Sequence, residues 1–185
     1  MTRLAINHTI HCKDERATAE AVQILANAIL AFYASTSEKS QSLFMSLDGD
    51  LGAGKTTATR YLLQAMGYQG KVKSPTYSLC EEHILDLPKQ ALHVFHFDLY
   101  RMQSPEEWVD VGLLEHFTQS DYLMLCIIEW PEKAEHTLPP MDLAITLIHP
   151  QESESERARK VEIQAHTPRG EAVLQSLSTQ SSKNP

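Results

Sequence analysis

The 185-residue chain has no apolar run approaching the ~20 residues that a membrane-spanning helix requires. Its amino terminus, M-T-R-L-A-I-N-H-T-I-H-C, lacks the long apolar region and small-residue cleavage site of a signal peptide. Cysteine is scarce: Cys12, Cys80 and Cys126 make an odd count with no C-x-x-C pair, which fits reduced thiols in the cytoplasm. Histidine is more abundant, yet no H-E-x-x-H or Cys/His cluster occurs. His8-x-x-His11-Cys12 and His93-x-x-His96 come nearest, and isolated histidines of this kind are ordinary strand or surface residues, so a structural metal site is rejected. There is no basic run either. With 16 Lys and Arg against 24 Asp and Glu, the net charge is −8 and the pI near 5.5. Nucleic-acid affinity rests largely on phosphate neutralisation, so this chain is ill suited to gripping RNA or DNA unaided. It could act in a nucleic-acid pathway through protein partners.

What the sequence does have is a complete phosphate-binding loop. Gly49 to Thr56, G-D-L-G-A-G-K-T, fills every fixed position of G-x-x-x-x-G-K-[ST]. Gly49, Gly52 and Gly54 let the backbone bend tightly and turn several N–H groups toward one point. Lys55 supplies a point charge for β- and γ-phosphates, and the Thr56 hydroxyl can ligate Mg²⁺. A helix starting here adds its positive end to the same anion. The flanks agree: Leu43–Leu47 reads as a strand and Thr57–Met66 as a helix closed by Gly67. The motif implies binding of a nucleoside triphosphate with Mg²⁺. No [NT]-K-x-D guanine box occurs, because none of the nine lysines follows Asn or Thr. ATP is therefore expected over GTP.

At this length, with 42% hydrophobic residues and no domain-splitting linker or internal repeat, one α/β domain is expected over residues 1–177, with 178–185 a frayed tail. Asp14 to Ala34 carries Ala21, Ile24, Leu25, Ala28, Ile29 and Phe32 at helical spacing. Ser35–Ser42 is a polar connector. Val72–Leu79 is extended, since Pro75 disfavours helix at Ser74. Leu92–Phe97 reads as a strand ending in Asp98. Ser104-Pro105-Glu106-Glu107 is a helix start, with a serine N-cap, a proline at the first position and a glutamate three residues on. Tyr122–Ile128 has no alternation, as suits a strand buried on both faces. Leu143–Ile148 and Val161–Ala165 read as two further strands joined by a charged turn, Gln151–Arg159. The fold class is α/β, P-loop NTPase-like, with a central mixed, largely parallel sheet flanked by helices and mixed strands toward its C-terminal edge.

A P-loop enzyme needs a second carboxylate near Mg²⁺, and ligands gather outside the carboxyl ends of the strands. Glu129 directly follows the apolar run, where a carboxylate needs a compensating partner. Asp98 ends a second strand and competes for the role; its alternative is a turn residue. Thr76, in Ser74-Pro75-Thr76, occupies the place of a threonine that senses γ-phosphate and Mg²⁺, or else is an exposed turn hydroxyl. Trp130 either covers the nucleotide or is a packing residue. Arg60 and Arg101 are candidate transition-state cations, although Arg60 equally suits an exposed helix face. No arginine-rich lid is present.

Taken in order, G-D-L-G-A-G-K-T-T (Gly49–Thr57), V-K-S-P-T-Y (Val72–Tyr77), H-F-D-L-Y-R (His96–Arg101) and I-E-W-P-E (Ile128–Glu132) resemble the TsaE (YjeE) family over roughly residues 14 to 177. The resemblance implies a small ATPase required for threonylcarbamoyladenosine formation at position 37 of tRNAs, acting with TsaB and TsaD and cycling ATP rather than transferring the group itself. It implies nucleotide contacts from Gly49, Asp50, Leu51, Gly52, Ala53, Gly54, Lys55, Thr56 and Thr57, with Thr56 on Mg²⁺. Glu129 becomes a Walker B-like acid near the metal, Asp98 a second acid that orders water or metal, and Thr76 part of a switch-like loop. Trp130 falls at the nucleotide or partner surface, and the base between Glu15 and Ala158. Contact with tRNA is implied only through the complex, and none with membrane. The longer polar turn Gln151–Glu156 departs from the family pattern. Two other readings of the same loop are a small-molecule kinase and an ATP-sensing module without catalysis.

Overall fold

The molecule is described by a computed structural model over residues 7–36, 41–75, 78–110, 121–149 and 157–181. Its strands are β1 (Asn7–Cys12), β2 (Gln41–Asp48), β3 (Cys80–Asp86), β4 (Ala91–Asp98), β5 (Leu123–Glu129), β6 (Leu143–Ile148) and β7 (Arg159–Ala165). They form one sheet in the order β1-β7-β6-β2-β5-β4-β3. The four inner strands β6, β2, β5 and β4 run parallel. The outer ones, β7 with β6, β1 with β7 and β3 with β4, pair antiparallel. The expected fold class is therefore found, with antiparallel strands at both margins rather than at the C-terminal edge alone.

Each face of the sheet has its own core, and strand parity sorts residues between them. Leu43, Met45 and Leu47 of β2, with Leu123, Leu125 and Ile127 of β5, join a core that includes residues of α1 (Glu15–Ser35), α2 (Lys55–Ala65) and α4 (Pro168–Ser181). Phe44, Met124, Cys126 and Ile128 point the other way, with Phe95, Phe97 and Trp108 of the short helix α3 (Glu106–Asp110). Double coverage explains the unbroken apolar run of β5, all seven residues of which are buried.

Helix α1 starts where the Asp14 carboxylate accepts a bond from Ala17 N at 2.8 Å. Among the described residues it alone is long and apolar enough to cross a membrane, but nine of its residues are buried and it packs on α2 and α4, as a core helix. Ile24, expected on its apolar face, stands 38% exposed. At α3 the anticipated reciprocal cap is half seen: Glu107 accepts from Ser104 N at 3.2 Å and from Gln103 N at 3.0 Å.

The structure departs from or adds to the expectations in three places. β1 and β3 were not marked by the sequence; β1 turns polar His8 inward, and β3 buries His83 while exposing Ile84, so neither shows a clean apolar alternation. Val72–Pro75, expected to be extended, belongs to no helix or strand. Helix α4 continues to Ser181, taking in the first four residues of the expected frayed tail. The connector residues 37–40, Thr76, Tyr77 and the turn residues 151–156 lie outside the described residues.

A buried carboxylate locks the carboxy-terminal helix to the P-loop strand. Asp142, fully buried, accepts from Phe44 N at 2.8 Å on one oxygen, and from the Thr167 hydroxyl at 2.5 Å and Arg169 Nε at 3.0 Å on the other. Its carbonyl accepts from His166 N, and a Cβ on Gly170 would come within 2.0 Å of that oxygen. Asp142→Ala should cost about 3 kcal/mol, because it orphans a buried N–H and a guanidinium together; denaturant unfolding with an unchanged m-value would show it.

Candidate functional site

The inner strands run parallel, so β2, β4 and β5 deliver Asp48, Asp98 and Glu129 to the same edge of the sheet. The loop between β2 and α2 lies over that edge. Gly49, Gly52 and Gly54 hold φ of 139°, 81° and 103°, values that side chains with a Cβ rarely adopt. Gly49 is also pressed against β6: a Cβ there would meet Leu147 O at 2.5 Å. Helix α2 begins at Lys55, so its unpaired first-turn N–H groups open onto the loop.

Beneath the loop lies a cavity of about 470 Å³, lined chiefly by Lys55, Thr56, Ser74, Asp98, Glu129 and Trp130. Lys55 is buried, and Nζ donates to Gly49 O at 2.5 Å and Asp50 O at 3.0 Å while lying 3.7 Å from the Trp130 ring centroid. Burial pushes its pKa down from the usual lysine value, against the opposing pull of Glu129, Glu132, Asp98 and Asp50. A cation so placed, stacked on an aromatic face and tied to carbonyls, is ready to exchange those weak acceptors for an anion.

The two carboxylates are held differently. Glu129 is 2% exposed; Oε2 accepts from the Thr56 hydroxyl at 3.1 Å and Oε1 meets His96 Nε2 at 2.8 Å. Asp98 is half-buried and accepts a short bond from the Ser74 hydroxyl and one from Tyr100 N at 3.1 Å. Thr56, Glu129 and Asp98 offer hard oxygen donors, the chemistry Mg²⁺ takes beside substrate phosphates. No group of three or more His, Cys, Asp or Glu residues suited to a metal occurs among the described residues, so a cation with one or two carboxylates fits better than an all-protein cage. Nearby, Asp48 accepts from the Ser46 hydroxyl at 2.9 Å, and burial, with Glu132 alongside, raises its pKa.

Trp130 alone among the described non-glycine residues has positive φ, at φ 60° and ψ 51°. Left-handed backbone costs a bulky residue about 1–3 kcal/mol, and such strain gathers at functional sites. It turns the chain from β5 into the 3₁₀ turn Pro131–Lys133 and lays the indole between Lys55 and Tyr100, whose ring centroid is 4.9 Å away.

A family model described as Threonylcarbamoyl adenosine biosynthesis protein TsaE matches residues 12–161. The chain belongs to the TsaE family. It is 38% identical over 138 residues to the tRNA threonylcarbamoyladenosine biosynthesis protein TsaE of Haemophilus influenzae, covering 75% of this chain and 80% of that one. To the protein of the same name from Bacillus subtilis it is 36% identical over 103 residues, 56% of this chain and 60% of the other. The crystal structure of Bacillus subtilis YdiB superposes with a TM-score of 0.66 at 23% identity, covering 97% and 99% of the two chains, and shares the fold. The family's name places its members in threonylcarbamoyladenosine biosynthesis, a tRNA-modification pathway.

In this TsaE-family chain most of the expected site residues converge. Leu51, Gly52, Gly54, Lys55, Thr56, Thr57, Asp98, Arg101, Glu129 and Trp130 all border the 470 Å³ cavity. Asp50 does not border it, but its carbonyl accepts from Lys55 Nζ and its charge acts on the same amine. Thr76 lies outside the described residues, although Ser74 and Pro75 before it border the cavity. Arg60 turns away: its Nε donates to Val72 O at 3.2 Å. Glu15 and Ala53 line a second cavity of about 240 Å³ on the other side of the loop, with Tyr61, Arg157 and Arg159. Ala158 is buried and does not line it, because alternation along the chain sends its two arginine neighbours there instead. Tyr61 and Arg159 are site residues that the sequence did not single out, and His96, set aside there as an ordinary strand or surface histidine, is buried against Glu129. His96 was legible in principle, two residues before Asp98 and so on the same face of β4. Arg159, whose Nε donates to Ala53 O at 3.0 Å, had no local signal.

The close packing of the loop on β6 predicts that Gly49→Ala destabilises the protein by ~2 kcal/mol through a backbone clash and a strained φ. Thermal unfolding without any added ligand would register it.

Proposed function

We propose that this TsaE-family protein is a Mg²⁺-dependent ATPase serving N6-threonylcarbamoyladenosine formation at position 37 of tRNAs, together with TsaB and TsaD. The observation that carries the reading is the convergence of Lys55, Thr56, Asp98 and Glu129 on one cavity beneath a glycine loop and a helix start. Loop N–H groups and Lys55 bind the β- and γ-phosphates. Water attacks the γ-phosphorus as the bond to the ADP oxygen breaks, leaving ADP and inorganic phosphate; Asp98 or Glu129 orients that water. The Thr56 hydroxyl and Glu129, with Asp98 beside them, are the residues that would hold Mg²⁺, which would supply neutralisation of phosphate charge. The base occupies the second cavity, beside Tyr61, which donates to Glu15 Oε1 at 2.5 Å.

Contact with tRNA is indirect, in keeping with a net charge of −8. Three free thiols, two of them buried, suit the reducing cytoplasm. The exposed Tyr100 and Leu51, 45% and 71% accessible at the cavity mouth, give partner proteins an apolar hold over the nucleotide.

Phosphate release from ATP should be slow for the protein alone and rise when TsaB and TsaD are added. Glu129→Gln, which keeps the side chain's shape, should lower the stimulated rate about 100-fold. Nucleotide bound without any release, partners present, would favour an ATP-sensing module instead. Binding must also draw Lys55 off the indole, so ATP should change Trp130 emission. The change should persist in Trp108→Phe, since Trp108 is buried in the opposite core, and should vanish in Trp130→Phe.

A further inference from the structure

We infer that His96 is the positioning residue that holds Glu129 in register for the metal, an inference that rests on the ATPase reading above. His96 is fully buried, and its two ring nitrogens differ sharply in surroundings. Nε2 lies 2.8 Å from Glu129 Oε1, whereas Nδ1 is buried with no hydrogen-bond partner. A buried N–H without an acceptor costs far more than a buried lone pair facing apolar atoms. The imidazole proton therefore sits on Nε2 and is donated to the carboxylate.

Glu129 has two donors, one on each oxygen: His96 on Oε1 and Thr56 on Oε2. They are not equivalent. Thr56 lies in the first turn of α2 at the cavity, and its hydroxyl would turn to a bound cation, freeing Oε2 for the same ion. His96 lies on the sheet behind the carboxylate, enclosed on β4 with the His83 ring centroid 6.4 Å away, and stays. Once Thr56 has turned, the bond from Nε2 is what keeps Oε1 back and Oε2 forward. Partners of this kind behind a metal ligand fix its orientation and set metal affinity by about 10–100-fold.

The test is binding of a non-hydrolysable ATP analogue to the full chain, by calorimetry, across a Mg²⁺ series that begins in EDTA. His96→Leu, of similar volume, should bind the analogue in EDTA within about twofold of wild type and need about tenfold more Mg²⁺ to reach tight binding. His96→Gln, whose amide nitrogen reaches the place of Nε2, should recover most of the wild-type Mg²⁺ requirement. His96→Asn, whose amide is too short, should behave like Leu. An unchanged Mg²⁺ requirement in His96→Leu overturns the proposal, as does loss of binding in EDTA, which marks a general structural role. If the leucine variant does not fold, the Gln and Asn pair decides: equal Mg²⁺ requirements overturn it. A wild type whose binding ignores Mg²⁺ altogether overturns the ATPase reading and this inference with it.

Discussion

A carboxylate at 2% exposure, at the end of a strand with no other polar side chain, is a costly thing to place, and the candidate site depends on how Glu129 is accommodated. An unpaired buried charge is expensive enough to reorganise its surroundings. Here the compensation comes from two directions at once, a helix-start hydroxyl and an imidazole from the adjacent strand. Those bonds tie α2 to β5 and β5 to β4. The group that the chemistry would use is thereby also a junction of the fold.

The sheet makes this junction possible by parity. Leu92 and Val94 of β4, and Leu123, Leu125 and Ile127 of β5, face the core beneath α1 and α2. Counting on by twos brings His96, Asp98 and Glu129 to that same face, at the carboxyl end, under the amino terminus of α2. The opposite parity sends Phe97, Ile128 and Met124 into the second core around Trp108. A one-residue slip of either strand would exchange acids for phenylalanine and isoleucine at the cavity.

Strain is concentrated where the chain must leave this arrangement. Three positive-φ glycines bend the loop, and Trp130 accepts a left-handed backbone immediately after Glu129. The indole then covers the Lys55 amine. Asp142 plays the corresponding part at the amino end of β6, on the other side of β2: its bond to Phe44 N and its contacts with Thr167 and Arg169 hold α4 against the sheet, away from the cavity.

Local sequence alone determined the phosphate loop, the strand before it, the helix after it and the buried strand ending at Glu129. Each is written in contiguous residues whose glycines, caps or apolar runs act at short range. Glu129 and Asp98 were legible too, because a carboxylate that closes an apolar strand is costly unless a partner or ligand meets it there. Only the tertiary structure decided that Thr56 and His96 are the two donors to Glu129, that Arg60 turns to a backbone carbonyl, and that Arg157 and Arg159 rather than Ala158 line the second cavity. Margin strands β1 and β3 belong to the same class, since their pairing partners supply the order that their own patterns lack. The physical reason is common to all of them: a side chain's partner across a sheet is set by register and crossover, which bring together residues 33 or 73 positions apart, and no local propensity encodes that distance.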